Sequence, residues 1–470
     1  MTTLNCFIHL KMIFMLYSSF LLILISNFLE KSVALQSHFE TVESAPECKR
    51  FIIDPNEMPK STFEVFDMYG PCSPSTARTS PMNMPSPHDI LHLDRLRVDA
   101  LQARFKPNST TNKNGSRFQD TKEVAHLPAK YLSGNYAITI GLGTPSQVQT
   151  LVFDTASDTT WSNGFHSYAS STFKIIPCVS SLCISLPQHT CETFDNVENT
   201  CFYNIRYMDG SYTKGAFATD ILTVPQTSDV FLFDFGCATE VNSKFNSYAN
   251  SNGVLGLGRQ RFSFSSQTKQ IYKGIFSYCF PSDQTLTGFL KLGPRDYPDN
   301  ERFTPLITNT TYPSFYFINI TSISVGHVAL PINHFDFTSP KTFIDTGTVV
   351  SRLPSNVYTT MRDEFRRQMA NYGYKFGQIP DILFDTCYDN SIDLNLIPTI
   401  TFTFEGDVSV DMDSSATLFT FSASQISCLA FARNSEHGQP SIFGNIQQKK
   451  LEVVYDVAGG KLRFRPNGCN

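Results

Sequence analysis

From Tyr131 to the C-terminus, apolar and polar positions alternate in short runs that break on Gly, Pro or Asn. Asn135–Pro145 (NYAITIGLGTP) alternates and then turns, and Gln149–Phe153 runs straight into Asp154. Similar runs recur at 202–207, 231–235, 288–292, 315–325, 399–404 and 451–455, each predicting a strand. Long helical patterns are few in this part of the chain, and Ser355–Asn371 is the best candidate. Strands at this density predict an all-β protein.

The region before Tyr131 has a different texture. Lys11 precedes an apolar run, Ile13–Leu29, and Ser32-Val33-Ala34 offers small residues for cleavage, so residues 1–34 read as a secretory signal peptide. A signal anchor or a chloroplast transit peptide is the alternative. In residues 35–130, Pro and Ser recur between Pro71 and Pro87, and Cys48 and Cys72 stand isolated. One amphipathic helix is predicted over His88–Phe105, with Ile90, Leu91, Leu93, Leu96, Val98 and Leu101 apolar and Arg95, Arg97 and Arg104 basic. A basic helix on a polar arm reads as a removable pro-segment whose cations neutralise an acidic cleft. A linker with an incidental helix is the plainer alternative.

Two stretches of the β-rich part resemble each other. Leu151-Val152-Phe153 leads into Asp154-Thr155-Ala156-Ser157, and 191 residues later Thr342-Phe343-Ile344 leads into Asp345-Thr346-Gly347-Thr348. Each is followed about a hundred residues on by apolar residues closing on glycine, at Gly253–Gly258 and at Ser441–Asn445. This pattern suggests a duplicated lobe that brings two carboxylates together, with the boundary between Leu292 and Phe315. Glycine after the apolar pair would let one backbone pass closely under the acidic loop. Two carboxylates in one site share a proton, because one pKa is driven down and the other up. Such a pair acts as base and acid together on a water and a carbonyl, with no metal or cofactor. Thr155 and Thr346 would hydrogen-bond across the base of the pair. An isolated Asp-Thr-Gly is usually only a turn; the duplication argues for more.

Composition narrows the classes. Charged residues are 17% and the net charge is −5, which leaves no electrostatic footprint for nucleic acid or an anionic membrane. Twelve cysteines fit an oxidising compartment, and their spacings do not resemble zinc ligand sets. Sequons at Asn309 and Asn319 are candidate glycan sites.

The segments YAITIGLGTPSQ, FDTASDTTW, YMDGSYTKGAFATD, GVLGLG, FSYC, IDTGTVVSRLP, SIFGNIQQKKLEVVYD and PNGC together resemble the pepsin-like aspartic proteases. The similarity is strongest to the plant nepenthesin-type group, in the branch described as chloroplast nucleoid DNA-binding protein-like. It implies a bilobal all-β fold with lobes at 131–300 and 301–470. By position it makes Asp154 and Asp345 the catalytic pair, supported by Thr155, Ser157, Thr346, Gly347 and Thr348. Tyr207, with Asp209, Gly210 and Ser211, matches the flap, and Trp161 matches the tryptophan that backs it. The family pattern pairs Cys178, Cys183, Cys191 and Cys201 among themselves, joins Cys279 to Cys469 and Cys387 to Cys428, and leaves Cys237 a free buried thiol.

Three positions depart from the family: Ala156 for Gly, Met208 for the flap Gly, and no cysteines in the stretch after Trp161. Ala156 is harmless if its φ is one that L-residues tolerate, and strained if φ is positive. The leading expectation is a secreted, monomeric endopeptidase made as a zymogen, acting on polypeptides at acid pH and inhibited by its own pro-segment. The apoplast is the expected location, with vacuole or chloroplast as alternatives. A catalytically silent binding or inhibitor protein on the same fold, or a plastid DNA-binding protease, are the competing readings.

Overall fold

The computed structural model describes residues 47–50, 61–74, 85–105 and, from Tyr136 to Gly468, all except 207–211, 225–228, 243–250, 296–300, 333, 338–340, 378–382, 390–391, 422–424 and 467. By internal contact the chain divides into two units, Met1–Glu47 and Cys48–Asn470, and all described residues but Glu47 belong to the second.

Strands dominate the second unit. A fifteen-stranded sheet carries β1 (Thr62–Asp67), β2 (Tyr136–Leu142), β3 (Gln147–Asp154) and β4 (Trp161–Ser162), and smaller sheets of five, four and three strands belong to the C-terminal half. The large sheet also joins the halves, because Ile275–Cys279 pairs with Leu451–Asp456 along Ile275↔Asp456 to Cys279↔Glu452. The run expected at 315–325 splits into Tyr316–Ile318 and Ile320–Val325, which belong to different sheets. The long helix spans Ser355–Asn371 and buries Val357, Tyr358, Met361, Phe365 and Met369, one stripe at helical spacing.

The segment before Tyr131 contributes a strand that hydropathy did not single out. β1 lies inside the large sheet, paired antiparallel with Thr287–Leu292 on one side and β2 on the other. Phe63, Val65 and Phe66 are buried, as a strand flanked on both edges and covered on both faces requires. Cys48 and Cys72, read from sequence as isolated, are disulfide-bonded to each other. The pairing closes a loop around β1, a long-range contact that no local pattern announces.

The helix α1 (Pro87–Ala103) starts where its sequence says it should. Ser86 Oγ accepts from the Asp89 N–H at 3.2 Å and the Asp89 carboxylate accepts from the Ser86 N–H at 2.9 Å, with Pro87 at the first helical position. Its buried stripe is not the apolar one expected. Leu91, Val98 and Leu101 share it with Asp94, Arg97 and Gln102, while Arg95 is exposed. A helix that buries two charges must have partners waiting for them.

In the first half, disulfides join Cys178 to Cys191 and Cys183 to Cys201. In the second, Cys387 is bonded to Cys428, its cross-strand neighbour. Cys279 is disulfide-bonded, and its expected partner Cys469 lies outside the described residues. Cys237 is a buried free thiol whose pKa burial pushes up to about 12. Its cross-strand neighbour on β4 is Ser162, within the stretch that lacks the family's cysteines.

Candidate active site

Both acidic loops sit at the ends of strands held by a parallel neighbour. Gly253–Gly256 runs parallel to β3 with Gly256 opposite Asp154, and Ile442–Phe443 runs parallel to Thr342–Ile344 with Phe443 opposite Ile344. A Cβ on Gly256 would overlap the Asp158 carbonyl, so only glycine passes under the first loop. The Leu257 N–H donates to the Asp154 carbonyl at 2.8 Å, and the Asp345 N–H donates to the Phe443 carbonyl at 3.1 Å. Each aspartate is therefore presented from a rigid backbone.

The carboxylates are held in the same way. The Ala156 N–H donates to Asp154 Oδ1 at 2.9 Å and Ser157 Oγ–H to Oδ2 at 2.5 Å. The Gly347 N–H donates to Asp345 Oδ1 at 2.9 Å and Thr348 Oγ1–H to Oδ2 at 2.5 Å. Beneath them the Thr155 N–H donates to Thr346 Oγ1 at 3.0 Å and the Thr346 N–H donates to Thr155 Oγ1 at 3.1 Å. This reciprocal bond fixes the two loops to one another.

Between the carboxylates lies a side chain from α1. Arg97 Nη2 is 2.9 Å from Asp154 Oδ1 and 3.0 Å from Asp345 Oδ1, and Nε donates to Asp345 Oδ2 at 3.3 Å. All three side chains are excluded from solvent. Burial by itself would lower the Arg97 guanidinium; the two carboxylates outweigh it and hold its pKa above the ordinary value. Burial pushes the Asp345 carboxyl up, Arg97 opposes this, and Asp154 adds to it. Arg97 Nη1 has no partner among the described residues, so the ion cluster is incompletely satisfied.

The helix is anchored at three further places. The Asp94 carboxylate accepts from the Val349 N–H at 2.6 Å and pairs with Arg352 Nη2 at 2.8 Å. Gln102 Nε2–H donates to Asn434 Oδ1 at 2.8 Å. Just beyond the helix Phe105 enters an aromatic group, 4.2 Å from Tyr312 and stacked on Phe343 at 5.9 Å between centroids. Sequence reading identified Arg97 only as one of three basic residues. Its spacing of three from Asp94, inside an apolar stripe, is the signal that marks both as inward-facing.

Ala156 keeps a negative φ, so its methyl group carries no left-handed strain. Trp161 is buried in the same cluster as Ala156, Val98 and Leu101. Tyr207, Asp209, Gly210 and Ser211 lie outside the described residues; the strands Val197–Arg206 and Tyr212–Thr223 pair up to Arg206↔Tyr212 on either side of them. Asn309 and Asn319 are half-buried, and Asn319 Nδ2–H donates to Glu405 at 2.6 Å. Among the described residues no cluster of three or more His, Cys, Asp or Glu could hold a metal ion.

Two buried carboxylates touching one nitrogen are close enough to titrate as a pair. With Arg97 in place one fixed cation bonds both and offsets one of their two charges. Without it one would keep a proton, and the pair would offer a base and an acid side by side.

Residues 136–294 match the family model described as xylanase inhibitor N-terminal, and residues 315–466 match xylanase inhibitor C-terminal. An aspartyl protease family protein of Arabidopsis thaliana is 38% identical, with 87% of this chain and 88% of that protein covered. Aspartyl protease AED1 of the same plant is 37% identical, with 87% of each covered. Aspartic proteinase nepenthesin-1 of Nepenthes gracilis is 32% identical, over 72% of this chain and 78% of that protein. Among solved structures, EDGP is similar in fold, with a TM-score of 0.61 at 21% identity, covering 71% of this chain and 92% of EDGP.

Proposed function

The chain belongs to the pepsin-like aspartyl protease family, and from that premise we propose that it is a secreted aspartic endopeptidase synthesised as a zymogen. One observation carries this reading: Arg97, from the segment ahead of the two lobes, bridges Asp154 and Asp345 and shields both from water. In the latent form the α1 helix fills the cleft and no water or peptide reaches the pair. Removal of residues 35–130 opens it. The ionised aspartate then takes a proton from a water held between the carboxyls, and the protonated one donates to the scissile carbonyl. Water adds to the carbonyl carbon, the C–N bond breaks, and the leaving amine takes the proton.

Acid favours both steps. Protonating one aspartate weakens the hold on Arg97, and a singly protonated pair is the working form. Four disulfides among the described residues support an oxidising compartment and hence secretion. The aromatic group around Phe105 supports apolar side chains near the scissile bond.

The test is acid conversion of the proenzyme followed by assay on denatured globin with and without pepstatin. Pepstatin-sensitive cleavage after conversion is expected, and its absence at every acid pH overturns the reading. The xylanase-inhibitor description of the matched family models favours a second reading, a catalytically silent inhibitor or binding protein. The intact, doubly supported carboxylate pair speaks against it. Inhibition of a glycoside hydrolase by the converted protein, without globin cleavage, would decide for it.

A further inference from the structure

The side chain that α1 places one turn before Arg97 meets a receptor of its own. Asp94 Oδ1 accepts from the Val349 N–H at 2.6 Å, Oδ2 accepts from the Val350 N–H at 3.4 Å, and Oδ2 pairs with Arg352 Nη2 at 2.8 Å. Arg352 is fixed from the other side, with Nη1 donating to the Val350 carbonyl at 2.5 Å. Two backbone N–H groups and a preorganised guanidinium converge on one carboxylate, all of them buried. Both Val349 and Arg352 belong to the loop and strand that follow Asp345. The receptor is part of the cleft floor, and Asp94 is a carboxylate borrowed from the pro-segment.

We propose that, once the helix has gone, this receptor is a substrate subsite that selects an ionised acidic side chain near the scissile bond. The proposal rests on the peptidase reading and adds the substrate class. A buried arginine that loses the one carboxylate paired with it among the described residues is poorly placed without an anion, so the emptied site favours one. Arg352 cannot be neutralised by losing its proton. Asn or Gln would supply the acceptor oxygen without the charge and would bring an amide against the guanidinium.

Geometry also limits where the acidic residue sits. Asp94 and Arg97 are three residues apart on the helix, about 4.5 Å along the axis, and an extended chain advances about 3.3 Å per residue. The selected side chain therefore belongs within about three residues of the bond that is cut. A cavity of about 1190 Å3 opens beside the helix here, lined by Arg352, Arg433, Asn434, Leu383 and Phe384 among others, and leaves room for a peptide to continue past the receptor.

The test uses the acid-converted enzyme and fluorogenic peptides in matched pairs, with Asp or Asn walked through the three positions on each side of the cleaved bond. At pH 5 a peptide Asp, with an ordinary pKa of about 3.9, is ionised. At one position the Asp peptide should have a kcat/KM at least 10-fold above its Asn partner, mostly through KM, and Arg352→Gln should bring that ratio towards 1. Equal cleavage of both members at every position overturns the subsite. If the converted protein cuts no peptide and no globin, the peptidase reading fails instead. The receptor is then still tested by binding of a labelled synthetic peptide of residues 86–105 to the converted protein. Asp94→Asn in that peptide should weaken binding at least 10-fold; equal binding of the two overturns the proposal without reference to activity or to the folding of any variant.

Discussion

The two acidic loops differ by a methyl group at their third residue, and the surroundings of that residue show why. Ala156 sits in the first loop at negative φ, buried in the cluster that includes Trp161. Gly347 occupies the same place in the second, and a Cβ there would overlap the Arg97 guanidinium. Arg97 leans towards that side: Nη2 and Nε both bond Asp345, while only Nη2 bonds Asp154. On the zymogen reading proposed above, the difference concerns latency rather than chemistry. Both loops hold their carboxylates through the same N–H and hydroxyl donors, but only the second must leave room for the α1 arginine.

The largest expected effect probes what the loops share. Asp154→Asn and Asp345→Asn should each lower pepstatin-sensitive globin cleavage by about 10^3-fold, and together by little more, since a pair acting as a unit is not additive. A large difference between the two single variants would break the symmetry. The next probes what they do not share. Gly347→Ala should displace Arg97 and give the unconverted proenzyme a roughly 10- to 100-fold gain in activity on a small fluorogenic peptide at mildly acid pH, the loss of one to two charge-assisted bonds. If the unconverted variant stays as silent as the parent, the assignment of Gly347 to latency is wrong.

Acid conversion follows with a definite sign. Burial raises the Asp345 carboxyl, Arg97 lowers it and Asp154 raises it. Protonating a carboxyl removes one of the charges that hold Arg97, so the ion-pair part of the helix's hold weakens as pH falls through the titration of the pair. Conversion followed by gel should accelerate up to about tenfold per pH unit over that range; a rate that rises with pH would contradict it. Folding stability carries the opposite sign for the same group. A carboxyl raised above its unfolded value contributes stability below that value, and the contribution fades as pH rises through the folded pKa.

Smaller effects test the base of the loops. Thr346 Oγ1 accepts from the Thr155 N–H and donates to the Phe153 carbonyl at 3.0 Å, whereas Thr155 Oγ1 accepts from the Thr346 N–H. Thr346→Val should thus cost more than Thr155→Val, each about 1–3 kcal/mol per buried group left unpaired, seen as a lower denaturation midpoint. The reverse order would mean that the two hydroxyls are not divided this way. Ala156→Gly should cost least, about 0.5–1 kcal/mol from backbone entropy, with conversion and cleavage unchanged. A marked change in cleavage would return the methyl group to the chemistry.

Much of this architecture was legible in the chain itself. Alternating runs located β2 and β3, the 3.6-residue stripe located Ser355–Asn371, and Ser86-Pro87 with Asp89 marks the start of α1. The two Asp-Thr loops and their apolar-Gly partners stood out because each is a short local motif written twice. The buried faces of α1 were not legible, because a binary pattern counts Asp94 and Arg97 as outward-facing. β1 escaped for a related reason: its six residues look like many exposed runs until the strands on both sides are placed.

The sequence by itself determined most of the strands after Tyr131, where two carboxylates are presented, and which small residues follow them, since these depend on neighbours a few positions away. The tertiary structure alone decided that Cys178 pairs with Cys191, that Cys48 and Cys72 close around a sheet strand, and that Arg97 rather than Arg95 reaches the aspartates. It also decided the meaning of Gly347 against Ala156. The disulfides join residues 13 and 24 apart, and Arg97 meets its aspartates across 57 and 248 residues of chain, where burial removes water and makes charge pairing obligatory.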